Sequence, residues 1–236
     1  MHLPIYFDGQ LLRCLVVGGG PSVVPKVETL VEAGASVTVI APQAEFKILV
    51  YSSLAKLKWE ERQFQSGDCT GYDMVIVGKE SGVPQLDVVK EARANCAQVN
   101  VIGEPGMSTI FFPAVLREGD LTIAVSSGSA PFMAAEFVRR MGGAVKGWSR
   151  WINLAANFRL AVMKNTKDPA RREEYYHKFL EAGPLHLEPE PNEKTAIAEW
   201  LQIFRHAKPQ TPAVGRKSEE PSVTKAAAAE EVEETY

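Results

Sequence analysis

Cysteine is scarce in this chain: Cys14, Cys69 and Cys96 are the only three among 236 residues. They lie far apart, are odd in number and show no C-x-x-C spacing. That argues against a disulfide framework or a zinc site, and for a reducing compartment. Long apolar runs are missing as well, none approaching the roughly 20 residues that a membrane helix requires. Met1 to Gln10 contains no apolar h-region, so no secretory leader is expected. Neither sign of charge is in large excess, the formal net charge being −3, so nucleic acid and anionic membrane surfaces are not expected as partners. The four histidines, His2, His177, His186 and His206, are not paired at metal-ligand spacing and read as surface or packing residues. No Ser/His/Asp or Cys/His constellation stands out, and no metal site is expected. A soluble cytoplasmic protein remains.

What is present begins with a glycine turn. Leu3 to Phe7 reads as an extended lead-in and Asp8-Gly9 as a turn, before a strand at Arg13 to Val17. Gly18, Gly19 and Gly20 follow, then Pro21 and an expected N-cap at Ser22. Pro25 falls in the first helical turn, where its missing N–H costs little. Val24, Val27, Leu30 and Val31 form the apolar face of a helix that Gly34 closes. Ala35 to Ala41 is a second apolar strand, ending at Pro42. This is a βαβ unit of the length a dinucleotide-binding half-domain needs. Gly18 and Gly20 supply the first two glycines of G-x-G-x-x-G/A, with Val23 at the third small position. Such a turn lets backbone N–H groups and a helix N-terminus converge on a pyrophosphate. The acidic residue that often grips a ribose after the second strand is absent. Pro42 and Gln43 stand there, and the Gln43 amide can hydrogen-bond a ribose hydroxyl.

Further along, Leu57 to Phe64 suits a short strand or irregular segment, and Tyr72 to Val77 a buried strand. Asp87 to Asn95 reads as a helix and Gln98 to Ile102 as another strand. Alternation of β and α with short links gives an α/β fold with a Rossmann-like parallel sheet. After Pro113 the character changes. Ala114 to Asp120 reads as a turn-bearing segment, Leu121 to Ser126 as a strand, and Ser127 to Pro131 as a small-residue loop before a helix over Phe132–Met141. Helices are expected over Trp148–Lys164, Ala170–Glu181 and Glu193–Phe204. Trp148, Trp151 and Phe158 read as core rather than as a cofactor box. Beyond Ala207 the composition is rich in Pro, Ala, Lys and Glu, and a disordered tail is expected. The expected organisation is a dinucleotide-binding domain over 1–113, a central segment over 114–147, a small helical domain over 148–206 and the tail over 207–236.

Two further stretches are candidates for chemistry. Glu104 follows a strand end, where α/β sheets place their ligand crevice, and reads either as a site carboxylate or as a solvated loop residue. Ser126 and Ser127 open a loop that either contacts an anionic ligand through hydroxyl and N–H donors or is an ordinary turn.

The motifs resemble a known family. Leu3-Pro-Ile-Tyr-Phe, Leu15-Val-Val-Gly-Gly-Gly, Ala33 to Pro42, Val99 to Ile102, Phe112-Pro-Ala, Gly119 to Ser127 with Ala130-Pro131, and Asp168 to Tyr176 look like the precorrin-2 dehydrogenases of the siroheme synthase N-terminal family. They do so in order, over residues 3 to 182. The resemblance implies a homodimer with a Rossmann domain, a central dimerisation segment and a small helical domain. It implies oxidation of the tetrapyrrole precorrin-2 to sirohydrochlorin with NAD, and in some members iron insertion. By position, Gly18, Gly19, Gly20, Pro21 and Ser22 would hold the dinucleotide, with Pro42 and Gln43 near the adenosine ribose. Ser127 and Pro131 would border the tetrapyrrole cleft. The family follows its Asn-Val-Val with an aspartate proposed as general base. Gly103 stands at that position here, and the adjacent Glu104 is the expected proton acceptor. The family's Ala-Thr-Asp-Asp is here replaced around Gly78-Lys79-Glu80, and its Arg-Lys pair is Pro25-Lys26. A catalytically degenerate homologue, binding a tetrapyrrole or a partner enzyme without redox chemistry, is the alternative.

Overall fold

The computed structural model describes residues 2–128, 130–182 and 193–206, so the expected tail over 207–236 lies outside the described residues. Five short strands form one parallel sheet: β1 (Arg13–Val17), β2 (Ser36–Ile40), β3 (Lys58–Glu60), β4 (Met74–Val77) and β5 (Gln98–Val101). Their order is β3-β2-β1-β4-β5. Cys14 to Val17 pair with Val37 to Ile40 on one side and with Met74 to Val77 on the other. The chain therefore leaves β1 in one direction and resumes at β4 in the other. That reversal opens a crevice at the carboxyl ends of β1 and β4.

The reason for a central β1 is its composition. Cys14, Leu15, Val16 and Val17 are fully buried, and a strand apolar on both faces needs cover on both sides. On one face α1 (Val24–Glu32) and α2 (Phe46–Ser53) supply Val27, Leu30 and Ile48. On the other, α3 (Gln85–Ala94) supplies Val88, Val89 and Ala92. Each fully buried aliphatic side chain contributes about 1.5–3 kcal/mol. Helix α1 ends as its sequence dictates, with Gly34 at φ +80° just past the cap.

After β5 come a two-stranded sheet, β6 (Ala114–Glu118) with β7 (Leu121–Val125), and helix α4 (Pro131–Met141). The segment expected to be only turn-bearing is thus the first strand of a hairpin around Gly119-Asp120. Three more helices follow: α5 (Trp148–Asn165), α6 (Pro169–Ala182) and α7 (Glu193–His206). Two compact units result. One comprises the residues up to Arg117 together with Thr122–Val145. The other comprises Glu118–Leu121 with the described residues from Lys146 onward. The helical unit has its own core of Trp151, Leu154, Phe158, Val162, Tyr175, Phe179 and Leu201. Phe158 stacks on Phe179 at 4.8 Å between centroids. Trp151 and Phe158 are core residues as expected, whereas Trp148 is among the exposed hydrophobics.

Candidate dinucleotide cradle and adjoining cleft

The glycine turn sits at the carboxyl end of β1. Gly18 has φ +107°, a conformation that side chains disfavour, and its N–H donates to the Ile40 carbonyl at 2.9 Å. A Cβ on Gly19 would lie 2.2 Å from the Gln43 carbonyl oxygen. The Gly19 carbonyl accepts from the Glu45 N–H at 2.8 Å. The loop after β2, with Pro42 and Gln43 exposed on it, therefore closes directly onto the turn.

The loop after β4 closes from the other side, and of three successive residues two meet a departure from the family pattern and the third meets a glycine of the turn. Gly78 faces Val23: a Cβ there would lie 2.7 Å from Val23 Cγ1. The fully buried Val23 fits at the third small position because Gly78 leaves room. Lys79 covers Gly103, which has φ +90°; a Cβ at Gly103 would lie 2.8 Å from Lys79 Cε. Glu80 lies against Gly20, whose Cβ would come within 2.8 Å of Glu80 Oε2.

Ser22 is not the helix cap. Val23 holds that position and makes no side-chain cap bond. The Ser22 hydroxyl instead donates to Glu80 Oε2 at 2.5 Å and accepts from the Lys79 N–H at 3.2 Å. Tertiary partners outcompeted the local cap. Pro21 is exposed beside it. The cradle fits a pyrophosphate in its glycines, which leave the backbone bare of side chains, while Glu80 adds a carboxylate at its edge.

Within the same unit lies a cleft of about 280 Å³. Asn100, Gly103 and Pro105 line it from the end of β5, and Phe112 from the following segment. Ser126, Ser127 and Pro131 line it from the loop before α4. The structure thus brings Ser127 and Pro131 together. The Ser127 hydroxyl donates to the Ala130 carbonyl. Glu104 is not among the lining residues: it is exposed and precedes a 3-10 turn at Pro105–Met107, where its carbonyl accepts from the Met107 N–H at 3.1 Å.

Lys26 reaches the cleft from α1, a helix whose N-terminus abuts the cradle. Its ammonium lies 4.6 Å from the centroid of the Phe112 ring, and burial pulls its pKa down. Sequence reasoning did not assign roles to Lys26, Lys79 or Glu80. The only available signal was that all three lie where the chain departs from, or adjoins departures from, the family pattern. Among the described residues, no three His, Cys, Asp or Glu side chains come together as a metal set. No described helix is long and apolar enough to cross a membrane.

Residues 5–114, the stretch that contains the glycine turn, match a family described as putative NAD(P)-binding. The chain is 31% identical over 185 residues to siroheme synthase of Methylococcus capsulatus, covering 78% of this chain and 39% of that protein. It is 30% identical over 190 residues to siroheme synthase of Pseudomonas fluorescens, covering 78% and 40%. It spans about two-fifths of the length of these curated relatives. In fold it is similar to the solved structure of SirC, precorrin-2 dehydrogenase, with a TM-score of 0.64 and 18% identity over 86% of this chain and 99% of that one. Sequence motifs and sheet topology agree with these relatives: over 78% of its length the chain is similar to siroheme synthases, and it has the fold of a precorrin-2 dehydrogenase.

Proposed function

We propose that this chain oxidises precorrin-2 to sirohydrochlorin with NAD, as a cytoplasmic homodimer in siroheme or related tetrapyrrole biosynthesis. The observation that carries the proposal is the adjacency of two features along α1, whose N-terminus abuts the glycine cradle and whose Lys26 lines the cleft. In this reading, Gly18, Gly19, Gly20, Pro21 and Ser22 hold the pyrophosphate. Pro42 and Gln43 border the adenosine ribose, and Ser127 and Pro131 border the tetrapyrrole. NAD rather than NADP is supported by the end of β2, where Ala41-Pro42-Gln43 offers no cation for a 2′-phosphate. The nearby Lys47 is engaged with Glu28 at 2.6 Å.

The reaction removes two hydrogens from the substrate, one as a proton and one as a hydride. The cofactor supplies the hydride acceptor. The protein's own part is to orient the macrocycle and to take the proton. Glu104 is the carboxylate nearest in sequence to the cleft, between the lining residues Gly103 and Pro105, and it is assigned that proton.

Anaerobic incubation of the purified chain with precorrin-2 and NAD tests the reading, with NADH formation expected. Absence of NADH together with absence of NAD binding by calorimetry would overturn it. Glu104→Ala is expected to lower turnover by about a hundredfold; unchanged turnover removes Glu104 from the mechanism.

A second reading is favoured by one specific feature, a cleft lining with no Asp or Glu in it. Under that reading the chain binds a tetrapyrrole or a partner enzyme without redox chemistry. Tetrapyrrole binding without NADH formation would select it.

A further inference from the structure

The cleft carries an excess of positive charge with nothing of its own to balance it. Of the described residues that line it, Lys26 is a full cation, His2 is the only other titratable side chain, and none is Asp or Glu. Lys26 takes part in none of the ion pairs found among the described residues. It is half-buried on α1, with its ammonium over the Phe112 ring at 4.6 Å. A partly desolvated ammonium with only a ring face for company has given up hydration without gaining a counter-charge. A ligand carboxylate would restore the balance.

A second cation stands beside the cleft. Gly103 lines the cleft, and Lys79 Cε lies 2.8 Å from where a Gly103 side chain would begin. Lys79 likewise appears in none of those ion pairs. The place where the family resemblance implies an acid therefore has a lysine side chain over it, and a second lysine lines the same cleft. Asn100 is neutral, and its side-chain amide already donates to the Ile110 carbonyl at 2.9 Å.

We infer that Lys26, supported by Lys79 beside Gly103, anchors carboxylate side chains of the substrate and selects a polycarboxylate macrocycle over a neutral one. This rests on the tetrapyrrole reading given above and names the residues that would enforce it. Lys26 acts at the cleft wall, and Lys79 acts on whatever lies over Gly103. Both contribute to binding rather than to proton transfer.

Sirohydrochlorin is the probe, titrated into the purified full chain and followed by its absorbance, at low and at high salt. The wild-type chain is expected to bind and to weaken as salt rises. Lys26→Gln is expected to weaken binding about tenfold, as loss of a charge-assisted hydrogen bond in a partly buried site does. Lys79→Gln should weaken it about threefold, in keeping with a more exposed pair. Lys26→Arg should restore affinity to within about threefold, which a merely structural role for the lysine stem would not predict. The Lys26→Gln/Lys79→Gln pair should lose most of the salt dependence. Circular dichroism checks that each variant is folded, and Lys26→Met, which keeps an apolar stem near Phe112, replaces Lys26→Gln if that variant unfolds. A double variant that binds like the wild type, with the same salt dependence, overturns the inference while leaving the proposed function intact. A wild-type chain that does not bind sirohydrochlorin overturns both.

Discussion

Glu80 accepts from the Ser22 hydroxyl and rests against Gly20, at the end of α1 where the peptide dipoles and free N–H groups favour an anion. A dinucleotide brings two negative phosphates to the same turn. The carboxylate and the pyrophosphate repel, and at an effective dielectric typical of a partly exposed site that repulsion is on the order of 1 kcal/mol or more. Glu80→Gln keeps a hydrogen-bonding group at Ser22 and removes the charge. It is expected to tighten NAD binding by about fivefold, read by calorimetry; looser binding would mean that Glu80 assists the ligand. Gly18 and Gly20 could be read from the sequence because a strand-turn-helix pattern is local. Ser22 could not: its position suits a cap, but Glu80 and Lys79 engage its hydroxyl from 58 and 57 residues away.

At the level of elements, the contact between α1 and β4 replaces one missing small residue with another. Val23 is larger than the motif's glycine or alanine, and Gly78 at the end of β4 gives back the volume. Gly78→Ala would push a methyl against Val23 Cγ1 and is expected to destabilise the fold by about 1–3 kcal/mol. With Val23→Ala added, the two effects should fall short of their sum by at least about 0.5 kcal/mol in urea unfolding. Strict additivity would show that the two residues do not compete for the same space. Most strands and helices were readable because each carries its own apolar period. The exceptions are α2, which the sequence did not announce as a helix, β3, which it left between strand and irregular segment, and β6, most of whose side chains are half-buried and whose identity as a strand depends on β7. Helix α4 leaves Phe132, Met133 and Phe137 exposed at 71%, 54% and 53%, an apolar face suited to the proposed dimer. Phe137→Glu is expected to shift the mass measured by light scattering from dimer to monomer. A wild-type chain that is already monomeric would refute the dimer.

For the whole molecule, burial sorts the three cysteines. It pushes the Cys14 and Cys69 thiols up to about 12, while Cys96 is exposed. One thiol should react quickly with Ellman's reagent in the native chain and three after denaturation; three fast thiols without denaturant would contradict the packed sheet. Acid should act through carboxylates held low. Asp73 is held below its usual range by the Arg13 side-chain hydrogen bond, at 3.0 Å. A group depressed in the folded state contributes fully above its unfolded value, about 3.9, and loses that contribution as pH falls through the lower folded value. Asp73→Asn is therefore expected to reduce the melting temperature at neutral pH and to flatten its decline below about pH 4. The order of the sheet could not be read from the sequence, because β1, β2 and β4 are similarly apolar and buried and pairing is a long-range choice. The same holds for the site: no local pattern announces that Gly78, Lys79 and Glu80 meet Val23, Gly103 and Gly20 in turn. That convergence limits how the site can be rebuilt. An aspartate placed at 103 alone would meet the Lys79 side chain and form an ion pair instead of a free base, and it would also have to accept a positive φ. Installing a free carboxylate there therefore requires exchanging the loop after β4 together with position 103.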